Sequence, residues 1–579
     1  MLPAAASRHI FGSGFDHAPE GPYSKAEAAR FLTQASFGPT LDEIDRLGRM
    51  GYHAWFAEQF AAPLSRQLPF LDQLLVEGVE GVWQDKRQEI WWRNVLHGND
   101  QLRQRVAFAL SQILVISDQN GALEGNPTAI AHFYDLLGEH AFGNYRELLE
   151  DVTLHPTMGH YLSMFKNRKP DEALNIRPDE NYAREIMQLF SVGLWRLNPD
   201  GTRIDGDPVA PGVQPVPTYN QQTISGFAHV FTGWNYSTCT PPAAPESSGS
   251  FNWWHWVWCP SGPPNVDWRL HAGWRTPMLP WGEGTPYGDI YHASAGDKQL
   301  LDYPGVALPG GVLAAGGGAR TNLAAALDNI FHHPNVGPFL GRLLIQRLTT
   351  SNPSPAYVGR VAAAFHDNGN GIRGDLGATV RAILMDPEAR NPAIAPDHAG
   401  KLREPLLRIT QLWRALDARS IDGRIREGWP EWYAAQAVQR SPSVFNFYLP
   451  DYRLPGEVAQ LGLYSPEFQI TTDTYITRLT NSLGGKIHWA WWGNPGVGDW
   501  DPVQVDLNRD IALAEHPHRL IERYNLLFMA RAMSPAMYDT LVAHVSGITQ
   551  NNSGSAWRRY RVQDALWLIL TSPEYVVEK

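Results

Sequence analysis

The stretch PDENYAREIMQLF, residues 178–190, crowds Asp179, Glu180, Asn181, Arg184, Glu185 and Gln188 into about three helical turns. Glu185 is its best candidate acid or base, because a positioned carboxyl can give and take back a proton. Asn181 and Arg184 are the side chains expected to position it. At about 100° per residue, Tyr182, Ala183, Ile186, Met187, Leu189 and Phe190 share one face, and Glu180, Asn181, Arg184, Glu185 and Gln188 the other. Asp179 suits an N-cap, and Glu180 precedes Arg184 by four, the favourable order for a helical ion pair. A solvated surface helix explains this pattern, with pairs worth a few tenths of a kcal/mol each. If other helices cover the polar face, however, Asn181, Arg184 and Glu185 form a buried network, and a buried charge must be paired.

Histidines come next. His155 and His160 flank PTMG just upstream, His229 lies downstream, and His292 and Lys298 share YHASAGDKQLL. Imidazole beside carboxylate suits proton transfer, and the same groups can hold a divalent metal. His292 is the candidate taken into the catalytic set. Most of the 20 histidines are expected only to hydrogen-bond. HHPN (332–335) and EHPHR (515–519) read as helix starts, where His-Pro is ordinary chemistry. HDNGNGIRGDL (366–376) lacks the acidic spacing of an EF-hand and reads as a tight turn. Trp253, Trp254, Trp256 and Trp258, together with Trp234 of a TGW sequence, are candidate substrate contacts. Exposed aromatic rings stack on sugars or grip apolar polymers, although a Gly/Pro-rich loop also needs rings for its own core.

Common catalytic signatures are absent: there is no G-x-S-x-G, H-E-x-x-H, G-x-x-x-x-G-K-[ST] or C-x-x-C. The formal charge of -11 argues against a nonspecific nucleic-acid binder. No run approaches the about 18 apolar residues of a membrane span; VAFALSQILVIS is short and interrupted by Ser111 and Gln112. The N-terminus has no basic start before a long apolar run, so no intact signal peptide is expected. The two cysteines, Cys239 and Cys259, could form one disulfide, and their scarcity fits export.

The elements that must position these groups are mostly helices. Ser24 with Glu27, and Thr40 with Glu43, read as capping boxes, and Gly38 and Gly51 as helix stops. Amphipathic spacing continues to about residue 167 and resumes after about 318. Between 235 and 318, Gly, Pro and Trp dominate, a composition that cannot sustain helices. A second Trp/Gly-rich interruption, AWWGNPGVGDWDP, spans 490–502. The expected fold is mainly α, a large multi-helix domain. An extension covers 1–23, and one domain covers 24–579, with 235–318 as its irregular insertion.

PDENYAREIMQLFSVGL, with TYNQQTISGFAHVFTGW (218–234), resembles the large bacterial family catalogued as "domain of unknown function 1800". AARFLTQASFGPTLDEIDRLGRMGYHAWFAEQF, LRQRVAFALSQILVIS, NGNGIRGDLGATVRAILMDPEAR, SVFNFYLPDY, SPEFQI and LTSPEYVV are similar to it, in the expected order. The resemblance implies an exported protein, periplasmic or extracellular, often found beside a sulfatase-like companion. Its activity is unassigned. The function expected on these grounds is a hydrolase-like enzyme acting on an extracellular polymer such as polysaccharide. The rival is a non-catalytic scaffold, or a partner for the sulfatase-like companion, in which the NYARE face is an internal ion network.

Overall fold

The computed structural model describes residues 20–210, 212–239, 267–283, 291–396, 398–494 and 502–578. Helices dominate, and strands form only two-stranded ladders among the described residues. One continuous apolar cluster runs from Ala28 to Tyr575, drawing on helices from both ends of the chain. None of the described helices is long and apolar enough to cross a membrane.

Local chemistry starts the helices as the sequence suggests. Thr40 Oγ1 accepts from Glu43 N, and the Glu43 carboxylate accepts from Thr40 N, at 3.2 and 3.0 Å. Ser24 caps Glu27 N at 3.1 Å, but the Glu27 carboxylate takes the Tyr23 N–H at 2.9 Å instead of closing a box. Gly51 does not end its helix. The chain turns there at φ 80°, then re-enters helix, so one kinked element spans Leu41–Ala61. The first helix ends before Gly38, at Ala35 with Ser36 extended as its C-cap, and Gly38 instead allows a close approach: at its φ of +121° a Cβ would lie 2.7 Å from Gln411 Cα.

Short helices leave many C-terminal carbonyls without intrahelical partners. Here buried cations take them. Arg414 donates to Gly38 O at 2.7 Å and Leu96 O at 2.9 Å, and also pairs with Glu43 at 2.6 Å. Arg403 donates to Tyr575 O and Phe528 O, and Arg561 to Ile548 O and Ala514 O. Lys401 Nζ donates to Gln346 O at 2.9 Å and Arg347 O at 3.1 Å, while facing Glu467 at 3.1 Å and Glu404 at 3.5 Å. Glu404, completely buried, also accepts from Gln436 at 2.7 Å and Gln112 at 3.0 Å. Gln112 in turn accepts from Asn446 and Tyr448. LRQRVAFALSQILVIS, SVFNFYLPDY and SPEFQI, far apart in sequence, thus meet at one ionic centre.

Replacing Lys401 with Met should cost about 3–5 kcal/mol, because it strands two buried carboxyls and two carbonyls. Urea unfolding of the Lys401→Met variant checks this.

Candidate functional site

Helix Asn181–Glu185 lasts five residues and passes directly into a π-helical turn, Ile186–Ser191. Ser191 Oγ reaches back to Ile186 O at 2.5 Å, and Val192 N to Met187 O at 3.0 Å. π-Turns occur disproportionately at functional sites. The wider turn also breaks the 100° wheel. Tyr182, Ala183, Ile186, Met187 and Phe190 are buried as expected, but Glu185 joins them, only 6% exposed. Asn181 is exposed, and Arg184 pairs with Glu180 at 3.5 Å on the open side. The three residues therefore do not form one buried network: Glu185 alone is drawn inside.

Among the described residues, the Glu185 Oε2 has no hydrogen-bond partner and is shut away from solvent. Burial raises its pKa, with Arg184 opposing. Two phenols share its field. Tyr161 is pushed up to about 12 by burial, with Glu185 adding to the effect. Tyr219 is likewise pushed up to about 12 by burial, with Arg184 opposing and Glu185 adding. Tyr219 OH also lies 3.5 Å from Gln188 Oε1. Sequence reasoning missed both tyrosines. Tyr219 sits in the TYNQQ stretch that marks the resemblance, but no spacing ties it to residue 185.

Helix Gln221–Val230 packs against both the Glu185 helix and strand Lys298–Gln299. Gly226 permits the second contact, since a Cβ there would lie 1.9 Å from Gln299 O. Lys298 is 2% exposed, and its Nζ has no hydrogen-bond partner. Burial lowers its pKa, with Asp297 opposing. His229 lies between charges of both signs: burial lowers its pKa, Lys298 adds to this, and Glu180 opposes it. Glu180 accepts from Gln221 at 2.8 Å and from Ser225 at 3.3 Å. An unpaired buried acid and an unpaired buried amine thus flank one helix.

His292 occupies a different setting. It is buried, with Nδ1 3.1 Å from Thr232 O and Nε2 2.8 Å from Asn322 Nδ2. These bonds join the TGW turn to helix Ala319–Phe331. Gly233 passes so close that a Cβ would lie 2.9 Å from His292 N. Trp234 follows immediately and is wholly buried in the core. The substrate-contact role expected of Trp234 does not fit that position, because the turn threads its ring inward. Trp253, Trp254, Trp256 and Trp258 lie outside the described residues, as does Cys259. Cys239 is disulfide-bonded.

His155, His160 and His333 are structural in their contacts. His155 Nε2 and His132 Nδ1 lie 2.8 Å apart, while His155 Nδ1 accepts from Thr157 N. His160 stacks on Phe165 and Trp274 and hydrogen-bonds Tyr236 OH at 2.7 Å. His333 accepts from Asn335 N at 3.0 Å. Burial pushes His160 and His333 down to about 3, each helped by neighbouring cations. The 367–375 stretch closes as a turn, with Asp367 accepting from Gly369 N and Gly371 N at 2.8 Å. Among the described residues, no group of three or more His, Cys, Asp or Glu side chains is placed to hold a metal ion.

Compared with known proteins, residues 30–577 match the model of a family described as "Protein of unknown function (DUF1800)". No curated protein and no solved structure matches the chain.

The buried imidazoles predict acid sensitivity. In the unfolded chain they take up protons below about 6.5, but in the fold His160 and His333 do so only near about 3. Stability is therefore full above about 6.5 and falls as pH drops towards about 3. Thermal melting followed between these limits should show the loss, and the His333→Gln variant should show a shallower one.

Proposed function

Since the chain belongs to the DUF1800 family, whose name assigns no activity, we propose a function from the site itself: a hydrolase-like enzyme acting by proton transfer at Glu185. One observation carries the reading. Glu185 is buried, and its Oε2 has no hydrogen-bond partner among the described residues, a state that costs stability. Its raised pKa brings the protonated form closer to neutral pH, as a general acid requires.

The proposed substrate is an extracellular polymer such as polysaccharide. When a glycosidic bond breaks, the Glu185 carboxyl gives its proton to the departing oxygen. The resulting carboxylate then takes a proton from the water that attacks the sugar carbon. Asn181 and Arg184, on the solvent side of the same turn, would meet the incoming chain. His292 would act as a positioning residue, holding the TGW turn. Tyr161 and Tyr219, phenols that stay protonated at neutral pH and whose pKa values the Glu185 charge helps raise, are the candidate O–H donors to the carboxyl. The reading includes export to the periplasm or beyond. The disulfide at Cys239 supports this, since disulfides persist in oxidising compartments.

The Glu185→Gln variant tests the assignment. Release of reducing ends from a panel of cellulose, xylan, glucomannan and laminarin should fall by about 100-fold or more. Because the variant removes an unpaired buried acid, its melting temperature at pH 7 should stay within about 4 °C of the parent or rise. Unchanged release would remove Glu185 from the chemistry. A much larger fall in melting temperature would mark the residue as structural and return the scaffold reading.

A further inference from the structure

The C-terminal helices enclose a cleft of about 860 Å³. Its walls are helix Asp473–His488, helix Trp557–Leu570 and the turn through 489–494, with His544 contributed by helix Pro535–Gly547. The size lies within the about 300–1,000 Å³ usual for ligand sites. None of the groups placed around Glu185 lines it.

Aromatic planes face the opening. Trp489 is 74% exposed, Tyr560 40% and Trp567 36%. Apolar surface left in water on this scale marks a place where something binds. The backbone that carries these rings is fixed. Trp489 N donates to Gly485 O at 3.0 Å, and Asn494 Nδ2 donates to Trp489 O at 2.6 Å. Trp492 N donates to Val505 O at 2.9 Å, and the Arg559 guanidinium lies over the Trp491 ring at 4.5 Å.

Two adjacent glycines floor the cleft. Gly484 and Gly485 both sit inside helix Asp473–His488, where glycine is unfavourable relative to alanine. A Cβ at Gly484 would meet Trp567 Nε1 at 3.3 Å, so that glycine makes room for the indole. A Cβ at Gly485 would meet nothing within 4 Å. Packing therefore does not require a glycine at 485; what its missing side chain preserves is open space. Gly485 and Trp489 also line a neighbouring cleft of about 340 Å³.

The polar groups narrow the ligand. Asn481, His488, Arg559 and the His544–Asp564 pair, 3.0 Å apart, line the cleft. Arg559 and Asp564 balance in charge, and the set offers both donors and acceptors. An apolar peptide would leave these groups unanswered. A nucleic-acid strand would need a surplus of positive charge. A sugar ring satisfies both demands, because its C–H face stacks on an indole while its hydroxyls project sideways to amide, imidazole and carboxylate.

We propose that this cleft binds a neutral saccharide chain, and that Trp489 and Trp567 are its stacking platforms. The inference does not rest on Glu185 being catalytic.

Affinity electrophoresis of the full chain tests it, with hydroxyethyl cellulose, xylan, glucomannan, laminarin or dextran in the gel. Tryptophan fluorescence titration with the matching hexasaccharides provides the constants. At least one polymer should retard the protein and its hexasaccharide should quench fluorescence. Trp489→Ala should weaken binding by about tenfold or more. Gly485→Leu, which fills the cleft while favouring the helix, should abolish binding with the melting temperature held or raised. Glu185→Gln should bind as the parent does, which separates this site from the acid–base centre. Retardation by none of the five polymers would overturn the proposal. So would binding that survives Trp489→Ala, or binding lost in Glu185→Gln.

Discussion

Buried cations seated on the carbonyls that end helices hold this fold together. A protein made of many short helices creates many such carbonyls, and packing then seals them from water. Guanidinium is well suited to the task, since one group carries five donors in a plane and stays charged when desolvated. Arg414 joins the ends of two helices to Glu43 at the start of a third. Arg403 ties the strand at Lys401–Leu402 to the chain's last helix through Tyr575 O. The cations need buried anions in return, and Glu404, Glu467 and Glu578 supply them. Coulomb attraction offsets the desolvation of each partner only while all remain in place.

Against this background, Glu185 contrasts with Glu404. Glu404 is fully enclosed yet answered by Lys401, Gln112 and Gln436. Nearby cations outweigh its burial, and its pKa is lowered. Glu185 has no comparable partners, and its pKa is raised. The same contrast separates Lys401, with two carbonyls and two carboxyls, from Lys298, with no hydrogen-bond partner. A chain that answers charge so fully at its ionic centre bears a cost where it leaves charge unanswered, and that is the ordinary mark of a site kept for a ligand or a reaction.

Close backbone approach sets the geometry around that site. Gly226 lets helix Gln221–Val230 lie against Gln299, bringing Lys298 to the same helix that Glu185 packs on. Gly233 lets the TGW turn lie against His292. At the far end of the sequence, Gly485 serves a different purpose, leaving a cleft open instead of closing a contact. Glycine thus marks both the tightest and the emptiest parts of the structure.

The sequence alone determined what depends on neighbours a few residues apart. The mainly helical class, the Thr40–Glu43 capping box and the turn at 367–375 were all legible, because each rests on local side-chain-to-backbone bonds or a short apolar period. The apolar stripe of residues 182–190 was legible for the same reason. Tertiary structure decided the rest. A wheel drawn at 100° per residue put Glu185 on the polar face, but helix Gln221–Val230 packs against its helix and the side chain is buried. Trp234 carried the signature of a substrate contact and became core. Tyr161 and Tyr219 share Glu185's field only because chain segments more than twenty residues distant fold beside it. No local pattern encodes such meetings, since burial of a polar side chain is fixed by whatever remote surface covers it.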